Sequence, residues 1–248
     1  MTELLIALGL IGGVVFAHEL GFRLGSLGRA ADAPFDLQVG LVRTATAALV
    51  AFLIGFAFSG AGSRFIHRLD IIVKEANALG TTYLRADTIA EPHRSELKAA
   101  LKEYTADRVQ LLSGERRDQI EPLLAKVNGL HDRMWHAAVK GTDGNAPLML
   151  VVLPPLNEVI DLHSEHLASA RRHWPLSIMA VLLGATAASV GLMGFGNGRV
   201  GRRFSLIDSV YGVVLAVALW MTIDLDYPGL GLIKVSNLPV VETLATMK

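Results

Sequence analysis

Two histidines stand at i and i+3 in the stretch HSEH, His163 to His166, with Asp161 close by. On one helix, that spacing turns both imidazoles to the same side, where they can share a metal ion. The same pattern is common on solvated helix faces, and both readings stay open. Asp224 and Asp226 are a second pair, in DLDYPGLGLIKVS. Two carboxylates at the end of an apolar helix meet the partial negative charge of its C-terminus, so they need a compensating cation. Arg85 and Lys234 are the candidate salt-bridge partners. The alternative is a Ca²⁺-type site, for which hard oxygen ligands are suited, although two carboxylates are too few to complete one.

The chain contains no GxSxG, HExxH or P-loop pattern. GFGNGRVG, Gly194 to Gly201, has the glycines of a dinucleotide fingerprint but follows no strand pattern, and is read as a short loop between apolar segments. Cysteine is absent, which excludes a disulfide framework, a thiol nucleophile and a Cys-based zinc site. No enzyme is expected, and no cofactor.

The elements that must position these residues are mostly apolar. Of 248 residues 52% are hydrophobic, the mean hydropathy is +0.43, and the formal charge is zero. A neutral chain gives no global field to attract nucleic acid. Four runs have the roughly 20 residues needed to cross a hydrocarbon core of about 30 Å: Leu4–Phe22, Leu41–Ala61, Pro175–Phe195 and Phe204–Ile223. The first lacks a basic N-terminus and carries Glu3, so it reads as an uncleaved span rather than a signal peptide. The fold class is therefore an all-α membrane protein with four transmembrane helices. The expected domains are 1–61 for the first two spans, 62–174 for a helical extramembrane domain, 175–223 for the other two spans, and 224–248 for a C-terminal tail.

Charge near the span ends does not choose an orientation. One side offers Arg23, Arg29, Arg199, Arg202 and Arg203, the other Arg64, Arg68, Lys74, Arg171, Arg172 and Lys234. His18, Glu19, Arg43 and Asp208 lie close to span ends, where they can snorkel or pair.

Helical periodicity fills the region between spans two and three. Phe65, Leu69, Ile72, Ala76 and Leu79 recur at steps of 3 and 4, with no strong breaker after Gly62, so the second span is expected to continue as one long helix. Leu97, Leu101, Tyr104, Arg108 and Leu111 mark a second helix, opened by Pro92 and closed at Ser113-Gly114. Leu123, Val127, Leu130, Met134 and Ala137 mark a third, ended by GTDGNAP. A fourth is expected from Leu148 to Trp174, kinked at Pro154-Pro155.

Small residues form stripes in two spans: Thr44, Ala48, Ala51, Gly55 and Ser59 in the second, and Gly184, Ala187, Gly191, Gly194 and Gly198 in the third. Such stripes let helix backbones approach closely in lipid. Beside the first lie Leu49, Phe52 and Phe56. These rings either face lipid and fill gaps between helices, or surround an axis shared by several copies and form an apolar constriction.

ANALGTTYLRADTIAEPHRSELKAALKEYTADRV, Ala76 to Val109, is similar to the signature segment of the bestrophin-like bacterial membrane proteins, a group largely catalogued as a domain of unknown function. DLDYPGLGLIKVS resembles the C-terminal signature of that family, in which Arg more usually stands at the position of Tyr227. The resemblance covers nearly the whole chain. It implies an oligomeric channel for chloride- or bicarbonate-type inorganic anions, typically a pentamer, with four spans per subunit and a helical region in the cytoplasm. It places a bacterial inner-membrane protein in contact with lipid and with its own copies. Phe52 and Phe56, with Leu49 beside them, fall at the expected apolar neck, and Asp224 and Asp226 fall near a calcium clasp whose acidic run is missing here. Arg43, Arg64 and Arg68 would concentrate anions at the mouths. Asn77, Thr81, Tyr83 and Arg85 would form a buried polar junction, with Asp224 or Asp226 as the partner of Arg85. The other reading is a non-conducting scaffold or sensor whose helical domain docks a protein. A lipid-modifying enzyme ranks third, because no nucleophile–base pair is legible.

Overall fold

The computed structural model describes residues 2–27, 33–113, 120–203 and 206–248. Gly114, Arg29 and Phe204 lie outside the described residues. Every regular element among the described residues is helical. Eight α-helices follow in order: α1 Thr2–Leu27, α2 Ala33–Arg85, α3 His93–Ser113, α4 Ile120–Gly141, α5 Ala146–Ala170, α6 Leu176–Val200, α7 Leu206–Asp226 and α8 Leu238–Thr246. A short 3₁₀ turn, Ala86–Thr88, follows α2. Four helices (α1, α2, α6 and α7) are long and apolar enough to cross a membrane. At 53 residues and a rise of about 1.5 Å per residue, α2 is about 80 Å long. It far exceeds a bilayer core.

The chain divides into two compact units, Met1–Phe65 with His173–Lys234, and Ile66–Arg172 with Val235–Lys248. In the first unit the core joins Ala17 of α1, Val50, Ile54 and Ala57 of α2, Leu182 and Val190 of α6, and Leu215 and Leu219 of α7. Lipid gives little hydrophobic drive between helices, so close backbone contact must supply the association. The contact of α1 with α6 does this. A methyl group at Gly21 or Gly25 would overlap the carbonyl oxygens of Gly191 or Phe195, and one at Gly194 or Gly198 would overlap those of His18 or Phe22. The glycine stripe of the third span is therefore used from Gly191 onward, whereas Gly184 meets nothing within 4 Å. The segment GFGNGRVG is not a loop. Its residues continue α6 as far as Val200, and Gly201, at φ 78°, ends the helix in the left-handed conformation that glycine tolerates.

The second unit has an apolar core of its own. Leu97, Leu101 and Tyr104 of α3, Val127, Leu130 and Met134 of α4, and Val152, Leu156 and Val159 of α5 are buried against Ile71, Ile72 and Leu79 of α2. Each such aliphatic side chain contributes about 1.5–3 kcal/mol when removed from water. In GTDGNAP, the Asn145 side chain accepts a hydrogen bond from the Leu148 backbone N–H at 3.1 Å and so caps α5. The helix then runs through Pro154 and Pro155. The C-terminal segment, expected as a tail, includes α8, whose Val240 is buried in this core.

Candidate functional site

In the first unit α2 buries Val50, Ile54, Ala57 and Ala61 and turns another face outward. Leu49 is 55% exposed, Phe52 69% and Phe56 68%. Val42, Ala45, Ser59 and Ser63 are exposed on the same face. These seven residues follow one another at alternating steps of 3 and 4, the spacing of a helix seam that packs against other helices. The small residues Thr44, Ala48, Ala51 and Gly55 are also exposed, and Gly55 has open space around it. Within one chain, then, this small-residue stripe makes no helix–helix contact of the α1–α6 kind. In the second unit's part of α2, Ile66, Asp70, Val73, Asn77 and Leu84 are exposed at the same spacing, with Gly80 half-buried among them.

The basic residues expected at the mouths have other contacts. The Arg64 guanidinium donates to Asp226 Oδ1 from Nε at 2.9 Å and also from Nη2, and its centre lies 4.2 Å from the Trp174 ring. Arg68 is buried, its Nη2 donating to the carbonyl oxygens of Ser169 at 3.3 Å and Arg172 at 2.9 Å. A guanidinium enclosed this way cannot gather anions at an entrance, which corrects the expectation for Arg68. Arg43 is half-buried and extends its guanidinium to Gly196 of α6.

Asp224 and Asp226 are both buried at the end of α7. Asp224 Oδ2 accepts from the backbone N–H groups of Leu232 and Ile233, each at 3.0 Å. Gly231 lies so close that any side chain there would collide with the Asp224 carboxylate. Asp226 Oδ2 accepts from the Trp174 backbone N–H at 2.9 Å, while its carbonyl meets His173 Nδ1 at 2.9 Å. The His173 ring stacks on Tyr227 with centroids 3.9 Å apart. Three of the four carboxylate oxygens thus already accept N–H bonds, and Arg64 supplies the positive charge. This donor set does not fit a calcium ion. It is a hydrogen-bonded elbow that closes the chain after the last span.

The expected polar junction is rearranged. Arg85 is exposed and its Nη1 donates to the Val151 carbonyl at 2.7 Å, so Asp226 has Arg64 as its partner, not Arg85. Asn77 is exposed and Thr81 half-buried. Of the four residues expected on α2, Tyr83 alone is buried, its hydroxyl donating to the Lys248 carbonyl.

The buried polar groups of this region are different residues. Glu75, fully buried on α2, takes two bonds from Arg108 of α3, Nε to Oε1 at 2.6 Å and Nη2 to Oε2 at 2.7 Å, and a third from the Tyr104 hydroxyl at 3.1 Å. This bidentate geometry is the strong form of an ion pair. His163 is buried beside Tyr104 and His131, whereas Asp161 is exposed and bonded to Asn157. The described residues contain no group of three or more His, Asp or Glu placed to hold a metal ion.

In the first unit, His18 of α1 is buried, and its Nε2 lies 3.3 Å from Asn197 Nδ2 of α6, which donates to Asp208 Oδ2 of α7 at 2.6 Å. Glu19 bonds to Arg23 and Arg203, each at 2.8 Å.

Four membrane-length helices and a second helical unit with its own core define a multi-pass helical membrane protein. The bestrophin-like domain profile matches residues 9–240, and the chain belongs to the bestrophin-like family. Among solved structures it is similar to a membrane protein carrying a single proline-to-alanine substitution, at 16% identity and a TM-score of 0.65, with 94% of this chain and 95% of that one covered. It is also similar to a bacterial bestrophin homologue from Klebsiella pneumoniae with one tryptophan-to-alanine substitution, at 16% identity and a TM-score of 0.63, with 96% and 95% covered. At these identities the likeness is one of fold. No curated protein matches the chain.

Proposed function

We propose that this protein is a homo-oligomeric, bestrophin-like channel for small inorganic anions of the chloride or bicarbonate type in a bacterial inner membrane. The copies, five by family likeness, turn the outward face of α2 to a common axis, and the second unit stands outside the bilayer on the cytoplasmic side. The observation that carries this reading is the exposure of Leu49, Phe52 and Phe56 on one seam-spaced face of a helix whose opposite face is buried. Large rings flanked by small residues suit close contact between copies, and rings repeated around an axis form a constriction that gates by dewetting. Arg43 is the basic residue left to draw anions toward the path. No catalytic residue is required.

A non-conducting, membrane-anchored scaffold that docks a protein partner is the second reading. It is favoured by the engagement of Arg64 with Asp226 and by the burial of Arg68, which remove two expected attractors of anions. Chloride flux in liposomes holding the purified protein separates the two. A channel gives flux that changes on Phe52→Ala and Phe56→Ala; a scaffold gives none with any of the three proteins. A monodisperse monomer in native-like lipid would overturn the channel reading.

A further inference from the structure

Four helices of the second unit deliver six polar side chains to one enclosed cluster. Around the Glu75–Arg108–Tyr104 group lie His131 of α4 and His163 and His166 of α5. The His131 and His163 rings meet edge to face with centroids 5.1 Å apart, and they lie 5.2 and 6.2 Å from the Tyr104 ring. His131 Nε2, both ring nitrogens of His163 and His166 Nδ1 are buried without a hydrogen-bond partner. Buried polar atoms are normally paired, so unpartnered nitrogens on three neighbouring imidazoles mark a place that structural economy alone does not explain.

The charged and titratable groups facing these rings are Glu75 and Arg68 from α2, Arg108 and Tyr104 from α3, and Asp132 from α4. The Glu75 carboxylate is already committed to Arg108 through two bonds. A proton arriving on His163 would therefore add a positive charge beside a fixed guanidinium.

We propose that His131, His163 and His166 form an acid-operated release: uncharged, they let the second unit close around the Glu75–Arg108 pair, and protonated, they force it open. Burial first, then the Arg108 charge, push His163 down to about 3 and His166 to about 4, and move His131 below the ordinary imidazole value. Once opened to water, each ring titrates near 6.5. The closed form is thus fully favoured above about pH 6.5, and its advantage falls as pH drops from there toward the closed-state values, because only the open form takes up protons in that window. Each ring lowers the closed-to-open ratio by up to roughly tenfold per pH unit.

The test is amide hydrogen exchange on the full-length protein in detergent between pH 7.5 and 5, corrected for intrinsic exchange rates. Protection across α3, α4 and α5 is expected to fall with a steepness of more than one proton, and His163→Leu with His166→Leu to remove most of that dependence. Imidazole NMR on the unsubstituted protein gives an independent reading if the double variant fails to fold. Resonances that take up protons only over the pH range in which protection is lost support the proposal. Titration near pH 6.5 with the unit still protected, or a pH dependence unchanged in the double variant, would overturn it.

Discussion

The guanidinium of Arg64, on α2, holds the fully buried carboxylate of Asp226, at the end of α7, and lies over the Trp174 ring. Asp226 also receives the backbone N–H of Trp174. One carboxylate therefore ties together the second span, the segment entering the third, and the exit of the fourth.

Arg64→Ala leaves that carboxylate buried without its cation, a loss expected to cost roughly 3 kcal/mol, the lower end for breaking a buried pair, because the arginine side chain is 26% exposed. Arg64→Lys should recover only part of it, since an ammonium lacks the two-nitrogen grip. Thermal unfolding in detergent checks both, and Arg64→Ala with Asp226→Asn should be less damaging than Arg64→Ala alone. Equal melting of all four proteins would contradict the assignment.

Gly194 packs directly on the backbone of His18. Gly194→Leu must push α1 and α6 apart, at a cost of at least about 1–3 kcal/mol. Gly184→Leu, which meets open space, should be nearly neutral. Comparing detergent stability of the two variants tests whether the glycines act by contact or by composition.

Asp70 is the ionisable residue among the exposed, seam-spaced positions of α2, with Lys74 one turn further on. If copies of α2 surround a conducting path, Asp70→Asn removes a carboxylate from each copy. A unit charge acts on an ion about 4 Å away with about 1 kcal/mol in water, repelling chloride and attracting potassium, so losing one carboxylate should raise the chloride-to-potassium permeability ratio by up to about thirtyfold. Reversal potentials across planar bilayers under a KCl gradient measure it. No shift would place Asp70 off the path.

Much of the fold was legible because its signals are local. Apolar runs near 20 residues announce spans, and the unbroken stripe from Phe65 to Leu79 announces the continuation of α2. The partner of Asp226 was not legible, because pairing between residues 162 positions apart depends on packing that no spacing rule encodes. Glu75 carries a signal in the sequence. It sits inside the apolar stripe Ile72–Ala76–Leu79, just as Arg108 sits inside Leu97–Leu101–Tyr104–Leu111. Opposite charges embedded in two apolar faces point to each other, since neither can be buried alone. GFGNGRVG misled because glycine usually interrupts helices in water; against another helix in lipid, its missing side chain is what permits contact. The helix α8 has nine residues, too few for periodicity to stand out.

The meshing of α1 with α6 also limits how the membrane unit can move. Carbonyl oxygens seated in glycine notches behave like the teeth of a locked gear: neither rod can slide along the other without first separating. Any opening and closing within this unit must leave that pair travelling as one piece, and the burden of motion shifts to the helices that lack such notches.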